Sequence, residues 1–181
     1  MVGMAEAATA PSALSGLGTE EPRPSGMAMV IFSGDLDKAL AAFIIANGAA
    51  AMDLPVSMFF TFWGLNILRK EGPVTVTGSK STTEKMFGRM MPRGASHLKL
   101  SNLNMAGLGT RMIKRRMGEK NVMSLAHLMQ TARDQGVRLI ACTMSMDLMG
   151  IRREELLDGI DFGGVGTFVA AADDSRSTLF I

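Results

Sequence analysis

Four short apolar runs, separated by stretches with helical spacing, set the pattern of this 181-residue chain. The runs are rich in β-branched or aromatic residues, which is typical of strands buried on both faces of a parallel sheet. Because strands and helices alternate along the chain, the pattern predicts an α/β protein with a doubly wound parallel sheet. The predicted strands are residues 27–32, 54–62, 137–141 and 178–181.

Polar caps, glycines and helical spacing place helices between these strands. In the helix before the third apolar run, Ser124 is the cap, Gly136 ends the helix and His127 falls on its outer face. Gly163 and Gly164 form a break before the last helix. The predicted helical segments are residues 35–52, 63–70, 121–136, 152–158 and 165–172.

The segment from residue 72 to residue 120 interrupts the alternation and is predicted to be a Met-rich, basic insertion. Two short helices within it, residues 85–91 and 105–117, would be apolar on one face and basic on the other. Such a surface is expected to dock a partner protein, the alternative being a solvated face whose methionines pack against a neighbouring subunit. Residues 74–77 could add a short strand, whose place in the sheet the sequence leaves open. The candidate partner-docking residues are Arg111, Lys114, Arg115 and Arg116.

Composition limits the number of domains and the chemistry. Hydrophobic residues make up 47% of the chain, so residues 27–181 are expected to form a single domain, preceded by a disordered extension at residues 1–26. A single cysteine excludes an internal disulfide and a multi-cysteine zinc site, and no metal or organic cofactor is indicated. Without a secretory signal or an apolar segment of about 20 residues, the chain is expected to be cytoplasmic. Neither nucleic acid nor a membrane is expected as a partner.

The single cysteine, Cys142, follows the strand at residues 137–141 and is the strongest candidate for chemistry. Ligands of open α/β sheets bind at the carboxyl ends of the strands, and Cys142 occupies such a position. Ser145 is expected to cap the next turn, Asp147 to help shape it near its amino end, and Gly150 to end it in a left-handed conformation. The N–H groups and dipole of that turn would favour the reactive thiolate. The alternative is a buried structural cysteine, because cysteine packs as a small hydrophobe.

Three stretches of the chain combine into a more specific signal. They are residues 33–39 (SGDLDKA), 59–65 (FFTFWGL) and 142–151 (CTMSMDLMGI), in that order. Together they resemble the DsrE/DsrF/DsrH-like family of sulfur-relay proteins, in particular its larger, Met-rich branch, and the resemblance extends from about residue 27 to residue 181. The resemblance implies a flavodoxin-like α/β subunit that forms oligomers. It also implies that one cysteine, which corresponds to Cys142, carries sulfane sulfur as a persulfide.

The combined prediction is a sulfur carrier or sulfurtransferase relay subunit that takes up sulfur on Cys142 and passes it to a partner thiol. Its expected partners are sulfur-donor and sulfur-acceptor proteins with reactive thiols. A homo-oligomer is also expected, because a modest domain this apolar exposes more apolar surface than one subunit can hide. Two alternatives remain open. One is a flavodoxin-like module that binds a nucleotide or small ligand at the Ser33-Gly34-Asp35 turn without catalysis. The other is a peroxidase, although a second cysteine that would resolve a sulfenic acid is missing.

Overall fold

Five parallel strands form one sheet in the computed structural model, which describes residues 26–181. The strands are β1 (Gly26–Ile31), β2 (Val56–Phe60), β3 (Arg138–Cys142), β4 (Asp161–Gly163) and β5 (Ser175–Phe180). Their order across the sheet is β4-β3-β2-β1-β5. Helices cover both faces, so the predicted α/β fold with a doubly wound parallel sheet is confirmed.

Six α-helices connect or flank the strands within residues 26–181. They are α1 (Leu36–Ala50), α2 (Thr82–Met90), α3 (Leu108–Glu119), α4 (Leu125–Asp134), α5 (Thr143–Met149) and α6 (Val165–Asp173). Short 3-10 segments occupy Phe62–Leu68, Ala95–His97, Met105–Gly107 and Arg153–Glu155. The helices α1 and α4 pack together on one face of the sheet, and α6 packs on the other.

Side chains of the central strands alternate between a main core and a smaller apolar cluster on the opposite face. On β3, Leu139 belongs to the main core under α1 and α4, whereas Ile140 and Cys142 point to the other face. In the main core, the rings of Phe43 and Phe60 lie 6.1 Å apart between centroids and are fully buried. Burying a side chain of this size stabilises the fold by about 1.5–3 kcal/mol, so the main core supplies much of the stability.

Two predicted helix ends are confirmed in atomic detail. The Oγ of Ser124 accepts a hydrogen bond of 3.3 Å from the backbone N–H of His127, which caps α4 and leaves His127 exposed. Gly150 ends α5 in the left-handed conformation, with φ of 64°. A Cβ at Gly150 would also lie 2.6 Å from the Cγ of Glu84, so both the backbone conformation and the available space favour glycine there.

Other predicted elements are corrected by the structure. Gly163, predicted to form a break with Gly164, is instead the last residue of β4, a strand of three residues that is too short to show any periodicity in the sequence. Residues 74–77 do not join the sheet. Residues 152–158 contain a single 3-10 turn and then an isolated antiparallel bridge instead of a continuous helix. The predicted extension at residues 1–26 lies outside the described residues, except for Gly26, which begins β1.

The chain leaves the sheet between β2 and β3, and residues 72–120 lie in this connection. The helix α2 begins with a capping box, in which the side chains of Ser81 and Glu84 each bind the other residue's backbone N–H. Within α2 only Gly88 is buried, and within α3 only Gly109 and Thr110 are buried. Both helices therefore lie on the surface and contribute no apolar side chain to the core.

Candidate functional site

Cys142 is the last residue of β3 and lies at the carboxyl edge of the sheet. The strand continues directly into α5, so Cys142 itself occupies the N-cap position of this helix, without a capping hydrogen bond from its side chain. The predicted cap at Ser145 is therefore wrong, because no turn separates β3 from α5. The free N–H groups at the start of α5 favour negative charge near this end of the helix.

The side chain of Cys142 is buried, with only 3% of its surface exposed. It belongs to an apolar cluster with Phe59 of β2 and Ile140 of β3, and Phe168 of α6 packs on this cluster. The rings of Phe59 and Phe168 are 5.6 Å apart between centroids. Cys142 is therefore packed as expected for the alternative interpretation, a buried structural cysteine. Chemistry at Cys142 therefore requires α6 or its side chains to move.

The helix α6 is held on the sheet by few buried contacts. None of its residues is buried, and Phe168 is only half-buried. The helix predicted from apolar spacing is confirmed, but two residues of that spacing, Val165 and Val169, are 70% and 56% exposed. Segments with few buried apolar contacts open more readily than the core, so α6 is well suited to expose the thiol transiently.

Ser145 and Asp147, predicted to shape the loop after Cys142, both lie inside α5. Ser145 is fully buried, and its Oγ shares a hydrogen bond of 2.7 Å with Oγ1 of Thr61. This bond connects α5 to the residue that follows β2. Asp147 is exposed, and its backbone carbonyl accepts a hydrogen bond of 3.3 Å from the N–H of Gly150. Ser145 thus fixes the helix that follows the thiol, whereas Asp147 faces solvent.

The loops after β1 and β2 meet at the same carboxyl edge. A Cβ on Gly34 would lie 2.7 Å from the backbone oxygen of Trp63, so the two loops are in direct contact. Together they border a cavity of about 240 Å³. The N–H of Asp35 donates to the Oγ of Ser33 at 3.1 Å, and the Asp35 carboxylate pairs with Lys38 at 3.1 Å. A phosphate-binding turn presents free N–H groups to its ligand, so these contacts weigh against the nucleotide alternative.

The four candidate docking residues lie on α3 and are exposed. Two of them, Arg115 and Arg116, pair with Glu119 at 3.1 and 3.2 Å. None of the four belongs to the cluster around Cys142, so the structure does not bring these cations into contact with the thiol. The full set is Arg111, Lys114, Arg115 and Arg116.

The insertion nevertheless reaches the carboxyl edge of the sheet. The carbonyl of Lys99 accepts a hydrogen bond of 2.7 Å from the N–H of Leu36, the first residue of α1. Ser101 binds the carboxylate of Asp37 through its backbone N–H at 2.9 Å and also through its hydroxyl. Because α1 begins at the carboxyl edge, the segment that leads into α3 lies at the same edge as Cys142.

Sequence reasoning missed the residues that enclose the thiol. In the sequence, Phe59 is one residue of the predicted strand 54–62 and Phe168 one residue of the predicted helix 165–172, whereas the structure places both at the cluster of Cys142. It also missed that Cys142 pairs with Gly163 across β3 and β4. Strand alternation places Phe59 and Cys142 on one face only once Phe59 is known to pair with Ile140, and that register comes from the structure.

Residues 26–181 contain neither a metal-binding cluster nor a membrane-spanning helix. No three or more His, Cys, Asp and Glu side chains in this part of the chain are close enough together to hold a metal ion. None of the helices described above is both long and apolar enough to cross a membrane.

The chain is similar to known proteins in sequence and in fold. Residues 24–180 match the DsrE/DsrF/DrsH-like family. The uncharacterized protein YrkE of Bacillus subtilis is 54% identical over 153 residues, which cover 84% of this chain and 94% of YrkE. The sulfur carrier protein DsrE2 of Allochromatium vinosum is 34% identical over 159 residues, which cover 86% of this chain and 97% of DsrE2. The crystal structure of the ychN protein from E. coli has a similar fold at 12% identity, with a TM-score of 0.50 and coverage of 87% of this chain and 99% of ychN.

Proposed function

The chain belongs to the DsrE/DsrF/DrsH-like family, and from that premise we propose that it is a cytoplasmic sulfur carrier whose Cys142 holds sulfane sulfur as a persulfide. The observation that carries the proposal is the place of the chain's only cysteine at the carboxyl edge of a parallel sheet, where such folds bind their ligands. The 34% identical relative from Allochromatium vinosum is itself named a sulfur carrier protein. The partners are donor and acceptor proteins with reactive thiols.

The transfer needs one cysteine in this chain and no change in overall oxidation state. The Cys142 thiolate attacks the outer sulfur of a donor persulfide, a new S–S bond forms, and the donor's S–S bond breaks to release the donor as a thiolate. An acceptor thiolate then attacks the outer sulfur on Cys142, which restores the Cys142 thiolate and leaves the persulfide on the acceptor. Both steps require Cys142 to become accessible, which requires Phe168 to move away from it.

Incubation with a persulfide donor is expected to add one removable sulfur atom to Cys142. The intact mass should rise by one sulfur and return to its starting value with a reductant, because a persulfide S–S bond is reduced as a disulfide is. The Cys142→Ser variant, which keeps a small side chain beside Phe59 and Ile140, should gain no sulfur while its circular dichroism stays native. An equal gain in that variant would contradict the proposal. The proposal would also be contradicted if neither the wild type nor the Phe168→Ala variant, whose thiol is expected to be more accessible, gained sulfur.

Exposed apolar side chains on β5 and on the outer side of α6 suit assembly with a second copy of the chain. The strand β5 lies at one edge of the sheet, and its Phe180 is 71% exposed. Val165 of α6 is similarly exposed at 70%. An unpaired strand edge beside exposed apolar side chains is typical of a protein–protein interface. We propose that β5 and α6 form the contact of a homo-oligomer.

A different surface, the basic face of α3, is proposed to dock an acidic partner protein that carries a reactive thiol.

Replacing the four α3 cations by glutamine is expected to slow sulfur transfer to an acidic acceptor and to flatten its salt dependence. The reason is that exposed charges steer association, and their range falls from ~10 Å at 0.1 M salt to ~3 Å at 1 M. Sedimentation should give the same oligomeric mass for wild type and variant, because β5 and α6 are unchanged. An unaltered salt dependence would exclude α3 as the docking surface. A monomeric wild type at micromolar concentration would exclude the proposed assembly.

A further inference from the structure

A large cavity lies between the first half of the insertion and the segment that follows α5. It is open to solvent and has a volume of about 620 Å³, within the range of about 300–1,000 Å³ that is typical of small-molecule sites. Four cations and two carboxylates line it, so its walls carry more positive than negative charge. None of its lining residues belongs to the cluster around Cys142. The charged lining residues are Lys80, Glu84, Lys85, Arg89, Arg93 and Glu155.

Glu84, one of the two carboxylates, is already engaged by neighbouring groups of the protein. It accepts a hydrogen bond of 2.7 Å from the N–H of Ser81 and pairs with Arg152 at 3.2 Å. By contrast, Lys85 and Arg89 are exposed and have no acidic partner within 4.0 Å among residues 26–181. Two cations of the cavity wall are therefore free to bind an anion.

The other carboxylate, Glu155, is itself buried and is surrounded by more positive than negative charge. Glu155 accepts hydrogen bonds from both Arg69 and Lys80, and Arg93 lies 4.0 Å from it. Arg69 is only 1% exposed, and its Nε and Nη1 have no hydrogen-bond partner in the described part of the chain. Burial lowers the pKa of Arg69, an effect that the charge of Glu155 opposes. Arg69 itself does not line this cavity, whereas Lys80, Arg93 and Glu155 do, so an anion bound there would offset part of the positive charge around Glu155.

We propose that this cavity binds a small organic oxyanion, with its carboxylate or phosphate held by Lys85, Arg89 and Arg93. Arginine presents a planar fork of donors that matches the oxygens of either group. Apart from His97, the remaining side chains of the wall are apolar and would contact the body of the ligand, which an inorganic ion lacks. The apolar lining residues are Pro73, Val74, Val76, Met91 and Pro92.

Calorimetric titration at constant ionic strength, with phenyl phosphate and with inorganic phosphate as probes, tests this site. Phenyl phosphate should bind more tightly than inorganic phosphate by about tenfold, because only it fills the apolar wall. The double variant Lys85→Gln/Arg89→Gln should weaken phenyl phosphate binding by about tenfold or more, since charge-assisted hydrogen bonds are lost. The matched control is Arg115→Gln/Arg116→Gln, which removes the same charge from α3 and should leave the affinity unchanged.

Three results would overturn the inference. Equal weakening by both double variants would show general attraction to a basic protein, and equal affinity for the two probes would exclude an organic ligand. No heat of binding with either probe at millimolar concentration would exclude the site. The proposal does not depend on sulfur transfer, so the Cys142→Ser variant should bind phenyl phosphate as the wild type does.

Discussion

Replacing Phe168 by alanine is expected to raise the rate at which iodoacetamide modifies Cys142 by about tenfold. The thiol is 3% exposed and Phe168 lies over its apolar cluster, so reaction requires this side chain to move. Removing a half-buried phenyl ring is expected to destabilise the closed arrangement, in which Phe168 covers Cys142, by on the order of 1.5 kcal/mol. A difference of about 1.4 kcal/mol corresponds to a tenfold change in the population of the open arrangement. Mass spectrometry of the native protein during alkylation measures the rate directly.

The matched control for this experiment is Val169→Ala. Val169 is the next residue of α6 but is 56% exposed, so its loss should leave the alkylation rate close to that of the wild type. Equal rates in the wild type and the Phe168→Ala variant would show that Phe168 does not limit access. An equal rise in both variants would mean that α6 loosens as a whole. Because alkylation involves no persulfide, the result is independent of the proposed sulfur transfer.

The position of Phe168 over Cys142 affects how a partner thiol could reach the cysteine. In the proposed sulfur transfer, an acceptor that docks near the carboxyl edge would have to displace Phe168, or bind while α6 is open, before its thiolate could reach Cys142. In the closed arrangement the bound sulfur would be shielded from small thiols by Phe59, Ile140 and Phe168. The burial of Cys142 is typical of a structural cysteine. In the proposed function, the same burial would protect the persulfide on Cys142 between transfers.

Replacing Glu155 by glutamine is expected to lower the free energy of unfolding by about 3–5 kcal/mol, the usual effect of removing one partner of a buried ion pair. Glu155 is 3% exposed and is the partner of Arg69, which is 1% exposed. The glutamine has nearly the same shape but leaves the charges of Arg69 and Lys80 without their carboxylate. Urea denaturation followed by circular dichroism measures the change. A variant within about 1 kcal/mol of the wild type, as for a surface pair, would contradict this assignment.

The matched control is Asp158→Asn. Asp158 pairs with Lys70 at 2.8 Å, but its side chain is 92% exposed, so its loss should change the unfolding free energy little. Burial opposes ionisation of Glu155, but hydrogen bonds from Lys80 and the Arg152 N–H, together with the nearby positive charges, keep the pKa of Glu155 below its ordinary value.

The direction of that pKa difference fixes the expected pH dependence. The folded state holds the Glu155 proton less tightly than the unfolded state, so the carboxylate stabilises the fold at pH values above the ordinary pKa of glutamate. This contribution is lost as the pH falls through the lower pKa of the folded state. The difference in stability between the wild type and Glu155→Gln should therefore be largest near neutral pH and should shrink in acid.

Local patterns in the sequence were sufficient for much of the architecture. The alternation of apolar runs and helical segments predicted the parallel sheet, Ser124 was recognised as a cap, and Gly150 as a left-handed end. The position of Cys142 at a strand end was also evident from the sequence. These features depend on the spacing and conformation of residues close together in the chain, which is why they can be read without the fold.

The surroundings of the thiol were decided only by the tertiary structure. Phe168 reaches Cys142 because β4 pairs with β3 and α6 then crosses the face opposite α1, an arrangement that no local pattern specifies. Likewise, Arg69 and Glu155 are 86 residues apart in sequence and meet only through the path of the insertion. The sequence by itself determined which segments become strands and helices and where the cysteine stands among them. Burial, ion pairing and exposure were set by contacts between distant segments, because these depend on strand order and on which helix covers each face.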